Sequence, residues 1–460
     1  MRNRSLERIN KVFFWSKEEA RQHPLSVHPP VHALQSPGVA VSRQEFCFDR
    51  LPSAVLPLVA APPLPGCELC VAIPAHNEEA GIVRTLAALA NQVDARGLPL
   101  DRSRYEILLL ANNCRDATVT LARDFARAHP GLHLHVIDTP ISAPHNHVGG
   151  ARRLVMDEAH RRLVRLGRPR GVIASTDADT RVQPNWVAAI LREVARGADA
   201  VGGRIQACRD DVRALHPGAR RYYTRDLAYR TLRAAYESVL DPVPFNGWPR
   251  HHHCFGASLA VTAETYAEAG GIPVVPCLED MAFGRELERI GARVRHSPEV
   301  GVRTSMRCQG RVEFGLSGTL TIWTHAAGAG EAWMVESPYA VETEAMHRRL
   351  VREWWGKTPS RQRTVTVART LAVDRRWLEE TRVRCTTAGE LYHAVQNCQR
   401  ERGALPLALM WTEVRQATEE LRARLKAHRP ILRGAARLLA QRCREELGAD
   451  ADDLDDGIAA

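Results

Sequence analysis

The sequence has no apolar run approaching the roughly 20 residues that span a bilayer as a helix. The N-terminal stretch MRNRSLERINKVFFWSKEEA has none of the apolar core of a secretory signal. These two absences predict a cytoplasmic protein and leave peripheral membrane contact open. The cysteines, 11 in all, are odd in number and scattered without a framework spacing, which argues for reduced thiols. One Cys-x-x-Cys, at Cys67 and Cys70, has no second pair at zinc-ribbon spacing, and Cys70 opens a predicted buried strand. The net charge is +10, yet no basic cluster is interleaved with aromatics. A nucleic-acid partner is therefore not expected, and the charge reads as an Arg-rich solvated surface. No internal repeat is present.

What remains is a soluble globular composition, 45% apolar and 25% charged, in a chain of 460 residues. That length fits two or three domains. Residues 1–65 read as a Pro-rich extension (PLSVHPPVHALQSPG, LPLVAAPPLPG). Residues 66–325 read as a catalytic domain, with 66–205 on one side of a ligand cleft and 206–325 on the other. Residues 326–460 read as an Arg-rich helical region ending in an acidic tail, ADADDLDDGIAA.

From Cys67 onward, strands alternate with helices. CVAIPA is a short apolar run, and EEAGIVRTLAALANQ follows with Ile82, Val83, Leu86, Leu89 and Ala90 on one face. Asn77 is the expected N-cap of that helix. YEILLLA, HLHVID, GVIASTDAD and ADAVGGRIQA are further strands, separated by helical stretches. The pattern predicts an α/β fold: a mostly parallel sheet with helices on both faces, followed by a helical C-terminal region.

Three acidic stretches carry the chemistry. Asp177 and Asp179 end a predicted buried strand, where open parallel sheets bind their ligands. In an extended segment they point to opposite sides, so one carboxylate suits a hard cation and the other water or a ribose hydroxyl. Pro74-Ala75-His76-Asn77-Glu78-Glu79 ends the first strand on the same edge. Glu279 and Asp280 open a helix, where a carboxylate can act as general base or complement the helix dipole.

In this order and spacing the three stretches resemble a family-2 glycosyltransferase of the type-A fold. The resemblance runs from about Glu68 to Gly318. It is carried by VAIPAHNEEAGIVRTLAAL, EILLLANNCRDATVTLA, GGARRLVMDEA, STDADTRVQPNWV, FGASLAVTAETYAEAGGIP and LEDMAFGRELERIGARV. It implies transfer of a sugar from a nucleotide-diphosphate sugar to an unidentified acceptor hydroxyl, inverting and dependent on Mn²⁺ or Mg²⁺. It further implies that Pro74, His76, Asn77 and Glu78 lie under the donor nucleotide. Asn112, Asn113 and Asp116 match a segment that in many relatives reads Asp-Asp-Gly-Ser-x-Asp, so acids that touch base or ribose are amides here. Gly149, Gly150, Arg152 and Arg153 match a Gly-rich helix start facing the nucleotide, where glycines allow close approach and Arg adds charge. Asp177 and Asp179 match the metal-binding Asp-x-Asp motif, and Asp177 also the donor contacts. Asp280 matches the catalytic base and Glu279 its partner. Arg307 and Arg311 match the region that closes over the diphosphate.

On the acceptor side, Trp248, His252 and His253 are the candidates. Consecutive histidines rarely converge on one ion, so His251, His252 and His253 read as an acceptor-side loop. Two other readings compete. A sugar-phosphate nucleotidyltransferase opens with a Gly-x-Gly-x-Arg turn, where this chain has PAHNEE. A non-catalytic nucleotide-sugar-binding protein has no need of all three acids.

Overall fold

In a computed structural model, residues 57–306, 316–358, 360–404 and 407–448 are described. β1 (Leu69–Ala75) is buried along its whole length. Leu69, Val71 and Ile73 face one layer, and Cys70 and Ala72 face the other. The first layer is covered by α1 (Ile82–Ala90) through Ile82, Leu86 and Leu89. β2 (Tyr105–Asn112), α2 (Thr118–Ala128) and β3 (Leu134–Thr139) repeat the unit. α3 (Val148–Arg165) covers the opposite layer through Leu154, Val155 and Leu163. β4 (Val172–Ser175) completes a parallel block in the order β3-β2-β1-β4.

Beyond β4 the sheet becomes mixed. β5 (Arg181–Val182) and α4 (Trp186–Ala195) precede β6 (Ala200–Ala207), and α5 (Arg209–Ala214) and the long α6 (Pro217–Leu240) follow it. β7 (Leu259–Thr262) inserts antiparallel between β4 and β6. After α7 (Ala263–Glu268) and α8 (Glu279–Arg289), β8 (Val294–Thr304) pairs parallel to β6 and antiparallel to β5. The full order is β3-β2-β1-β4-β7-β6-β8-β5. The expected α/β sheet with helices on both faces is present. Because β7 is antiparallel to both neighbours, β6 and β8 still run parallel to β4, and their carboxyl ends share one edge with β1 and β4.

The C-terminal helices do not form one unit. α9 (Leu316–Ala329) lies against α6. β9 (Met334–Glu336) precedes α10 (Pro338–Trp355), α11 (Arg361–Thr370), α12 (Arg375–Arg384) and α13 (Ala388–Glu401), which share a core of Val351, Trp354, Leu371, Leu378, Leu391 and Val395. α14 (Leu407–Met410) leads into β10 (Trp411–Glu413), which pairs with β9. α15 (Val414–Leu425) and α16 (Arg429–Glu446) pack back onto α6 through Tyr229, Leu232, Val414, Leu421 and Ala435. No helix of the described residues is long and apolar enough to cross a membrane.

Residues 57–65 are tied to the sheet rather than separate from it. Arg162, fully buried on α3, donates to Glu106 Oε2 at 2.6 Å and to Ala61 O at 2.9 Å. Leu64 N donates to Glu106 Oε1 at 2.6 Å. Removing one member of a buried ion pair leaves an unpaired buried charge. Arg162→Met is therefore expected to lose about 3–5 kcal/mol of stability. The double variant with Glu106→Gln is expected to recover most of it; urea midpoints of the two variants check this.

Candidate functional site

The carboxyl edge of the sheet gathers the acids around one buried guanidinium. Arg152, in the first turns of α3, donates Nε to Glu279 Oε1 at 2.8 Å and Nη2 to Asp177 Oδ1 at 2.8 Å. Its Nη1 reaches Ser175 Oγ at 2.6 Å and Gly256 O at 3.2 Å. The Arg152 and Glu279 side chains are each 4% exposed, whereas Asp177 is 36% exposed. Asp177 thus offers a solvent-facing carboxylate beside a dry ion pair. The two carboxylates outweigh the desolvation of Arg152 and push its pKa up.

Gly256 links this cluster to Asp280. Its carbonyl accepts from Arg152, and its amide donates to Asp280 Oδ2 at 2.8 Å. Asp280 Oδ1 accepts from Met281 N at 2.7 Å. Leu278, just before α8, holds a left-handed φ of 60°, a strained conformation for a bulky residue. The helix that follows buries Glu279 on Arg152 and leaves Asp280 half-buried beside it. Desolvation, with Glu279 next to it, raises the Asp280 carboxyl to about 6. Asp177, Glu279 and Asp280 therefore lie within one or two hydrogen bonds of the same guanidinium. A Cβ at Gly256 would stand 2.5 Å from Arg152 Cζ. Gly256→Ala is accordingly expected to cost about 1–3 kcal/mol by overpacking and to lower activity, measured by thermal melts and turnover.

Asp179 lies on the other side of the strand end. Its Cα is 3.2 Å from where a Cβ on Gly81, just before α1, would stand. Thr85 Oγ1 holds the intervening Ala178 O at 2.9 Å. The donor set here is all hard oxygen, which fits Mg²⁺ or Mn²⁺. Among the described residues, the one group of three closely spaced metal-ligand side chains is Cys67, Cys70 and Glu106. There both Glu106 oxygens are already occupied by Arg162 and Leu64 N.

The β1–α1 and β2–α2 turns are stitched together. His76 Nδ1 bonds Asn112 O at 2.7 Å, Arg115 N donates to Asn77 Oδ1 at 2.7 Å, and Glu79 N donates to Asp116 Oδ2 at 3.1 Å. Glu78 is buried, with its amide on Thr118 Oγ1 at 2.7 Å, and Pro74 is buried in β1. Asn77 is not the N-cap of α1. It takes a left-handed φ of 53°, and a turn over Glu78–Gly81 delays the helix to Ile82. Asn113 is also left-handed, with its amide on Ile141 O at 2.9 Å. Asn112 Oδ1 is buried without a hydrogen-bond partner among the described residues.

Several expected residues are taken up by the protein itself. Arg153 donates to Asp157, to Gly270 O at 2.8 Å and to Ile272 O at 3.1 Å, so it braces the 270–272 loop. Cβ atoms at Gly149 and Gly150 would meet Val275 O at 2.0 Å and His145 O at 2.1 Å. These glycines are required by neighbouring chain, and the Gly150 amide is capped by His147 Nδ1 at 3.2 Å. His253 is buried, with Nδ1 accepting from Ile205 N at 2.9 Å; it pins the loop to β6. Trp248 packs over Gly434 of α16. His252 stacks edge-on to His253 and Phe255, and burial among neighbouring histidines and arginines keeps it neutral. Arg307 and Arg311 lie outside the described residues. Ser175 and Gly256 were not singled out from the sequence. The glycine of FGAS before β7 was the available signal for the second.

The acids, the orphaned amide oxygen and the buried arginine thus lie together at the carboxyl edge of an α/β sheet, where such sheets bind their ligands. Residues 70–252 match the family model described as glycosyl transferase family 2. The chain therefore carries a domain of glycosyl transferase family 2. No curated protein matches the sequence. Among solved structures, the chain is similar to a mannosyltransferase from Pyrobaculum calidifontis in complex with GDP-Man and Mn²⁺. The identity is 17%, the coverage 84% of this chain and 89% of that one, and the TM-score 0.37. It is also similar to S. aureus TarS 1–349 in complex with UDP-GlcNAc, at 13% identity, 73% and 92% coverage and a TM-score of 0.38. A third is glucosyl-3-phosphoglycerate synthase from Mycobacterium tuberculosis in complex with Mn²⁺, UDP and phosphoglyceric acid. There the identity is 16%, the coverage 59% and 84%, and the TM-score 0.33.

Proposed function

We propose that the chain transfers a sugar from a nucleoside-diphosphate sugar to an acceptor hydroxyl in a single displacement that inverts the anomeric centre. The observation that carries this reading is the convergence of Asp177, Glu279 and Asp280 on Arg152 and Gly256 at the ligand edge. Asp280 takes the proton from the acceptor hydroxyl; a carboxyl raised to about 6 is ionised at neutral pH and a better base than an ordinary aspartate. Arg152 and Glu279 fix the position of α8 and hence of Asp280. Asp177 and Asp179 are the residues that would hold Mn²⁺ or Mg²⁺, which supplies charge neutralisation for the departing diphosphate. The buried acceptor at Asn112 Oδ1 suits a base N–H, which would satisfy it.

A thermal-shift screen of nucleotide sugars tests the donor side. A nucleotide sugar with Mn²⁺ at about 100 times its dissociation constant should add about 2.7 kcal/mol of apparent stability. The Asp179→Asn variant is expected to lose the Mn²⁺-dependent part of that shift. An equal shift with and without metal would contradict the role given to Asp179.

A further inference from the structure

Beside the Asp-x-Asp turn, at the outer edge of the sheet, lies a recess of about 600 Å³. It is lined by Arg181, Arg209, Arg303 and Arg444 with Asp210, Glu445 and Cys208. Arg303 and Arg444 make no side-chain hydrogen bond or ion pair among the described residues. The other two arginines are held by neutral acceptors: Arg181 Nη2 by Cys208 Sγ at 3.2 Å and Arg209 Nη2 by the Arg444 carbonyl at 2.7 Å. Glu445 is engaged by Gln206, by Gln441 at 2.8 Å and by the Arg204 guanidinium at 3.8 Å. Four guanidinium groups therefore share one concavity with two carboxylates, Asp210 and Glu445, which leaves an excess of positive charge. A concave site with a net positive excess concentrates anions.

The recess opens on the same carboxyl edge as the donor site. Arg181 follows Asp179 by two residues, and Thr180 Oγ1 donates to Thr304 Oγ1 at 2.9 Å next to Arg303. Two residues span at most about 7 Å, so a group held here lies beside the Asp-x-Asp turn and within reach of a second substrate bound next to the donor.

We propose that this recess binds a phosphoryl group carried by the acceptor; this rests on the glycosyl-transfer reading above. Guanidinium forks match phosphate oxygens in pairs, and binding at a remote anionic group helps to orient a reacting hydroxyl. The two sources of such a group are a small phosphorylated metabolite and a phospholipid headgroup.

The test titrates glycerol 3-phosphate into the full chain by calorimetry, with UDP or GDP and Mn²⁺ present, and compares Arg303→Ala/Arg444→Ala. Both arginines are solvent-exposed and unpaired, so the variant should melt at or above the parent temperature. The expected result is binding weakened at least tenfold in the double variant, with nucleoside-diphosphate affinity unchanged within twofold. A parallel arm measures cosedimentation with phosphatidylglycerol and phosphatidylcholine vesicles. Selective, arginine-dependent binding to the anionic vesicles alone supports a lipid source; arginine-dependent binding of glycerol 3-phosphate alone supports a soluble one. Equal affinity in parent and variant, or no phosphate binding in any arm, overturns the proposal. Failure of all of UDP, GDP, ADP, CDP and dTDP to bind the parent would instead sink the donor reading, and does so whatever the recess binds.

Discussion

Asp280→Asn is expected to lower turnover by 10²–10⁴-fold, the range in which a positioned general base contributes, while nucleoside-diphosphate affinity stays within about twofold. The same change carries a stability signature. The folded-state Asp280 pKa, about 6, is above the ordinary 3.8. Between these values the native state holds more protons than the unfolded chain, so stability falls as pH rises through that window. The penalty is absent below pH ~4 and complete above pH ~6, on the order of 2–3 kcal/mol. The asparagine variant escapes it but turns one N–H donor toward Gly256 N or Met281 N, which costs about 1–2 kcal/mol. The variant should therefore be less stable than the parent at pH 4 and level with it or above it at pH 7.5. In the parent, turnover should drop as pH falls below about 6, as the base becomes protonated. Urea melts and pH–rate profiles read both effects. A parent stability that rises between pH 4 and 6 relative to the variant would remove the basis for a raised Asp280.

Arg152→Met is expected to cost about 3–5 kcal/mol, a large share of the 5–15 kcal/mol that holds most domains. Methionine replaces the aliphatic stem but leaves Glu279 buried without its cation and Asp177 without its tether. Combining Arg152→Met with Glu279→Gln should restore most of the stability but not the turnover, because Asp177 and the start of α8 are no longer held together. The double-mutant cycle, with a coupling of a few kcal/mol, separates the folding role of Arg152 from its role in shaping the site. Additive effects would mean that the two side chains do not depend on one another.

The parallel half of the sheet was legible because its strands are short apolar runs divided by amphipathic helices; Val71, Ile73, Leu108 and Leu110 declare burial on both faces. The antiparallel insertion of β7 was not, because LAVT reads the same in either direction and only the return of the chain decides its pairing. β8 runs on to Thr304 because a register shift opposite Gly203 and Arg204 absorbs Pro298, Glu299 and Val300. At the site, the acids were legible as residue types at strand and helix ends. Arg152 and Arg153 are neighbours in sequence with opposite fates: one enters the acid cluster, and the other braces the 270–272 loop. Adjacent positions on a helix point about 100° apart, and which one meets the cluster depends on the rotation of α3. Gly149 and Gly150 likewise signalled close approach correctly, but the approaching group is protein backbone.

The most direct measurement follows the products released when the chain is incubated with Mn²⁺ and a panel of nucleotide sugars, alongside Asp280→Asn. The account predicts release of nucleoside diphosphate and a sugar product of opposite anomeric configuration by NMR, both lost in the variant. Release of pyrophosphate, or undiminished release of nucleoside diphosphate by the variant, would contradict it.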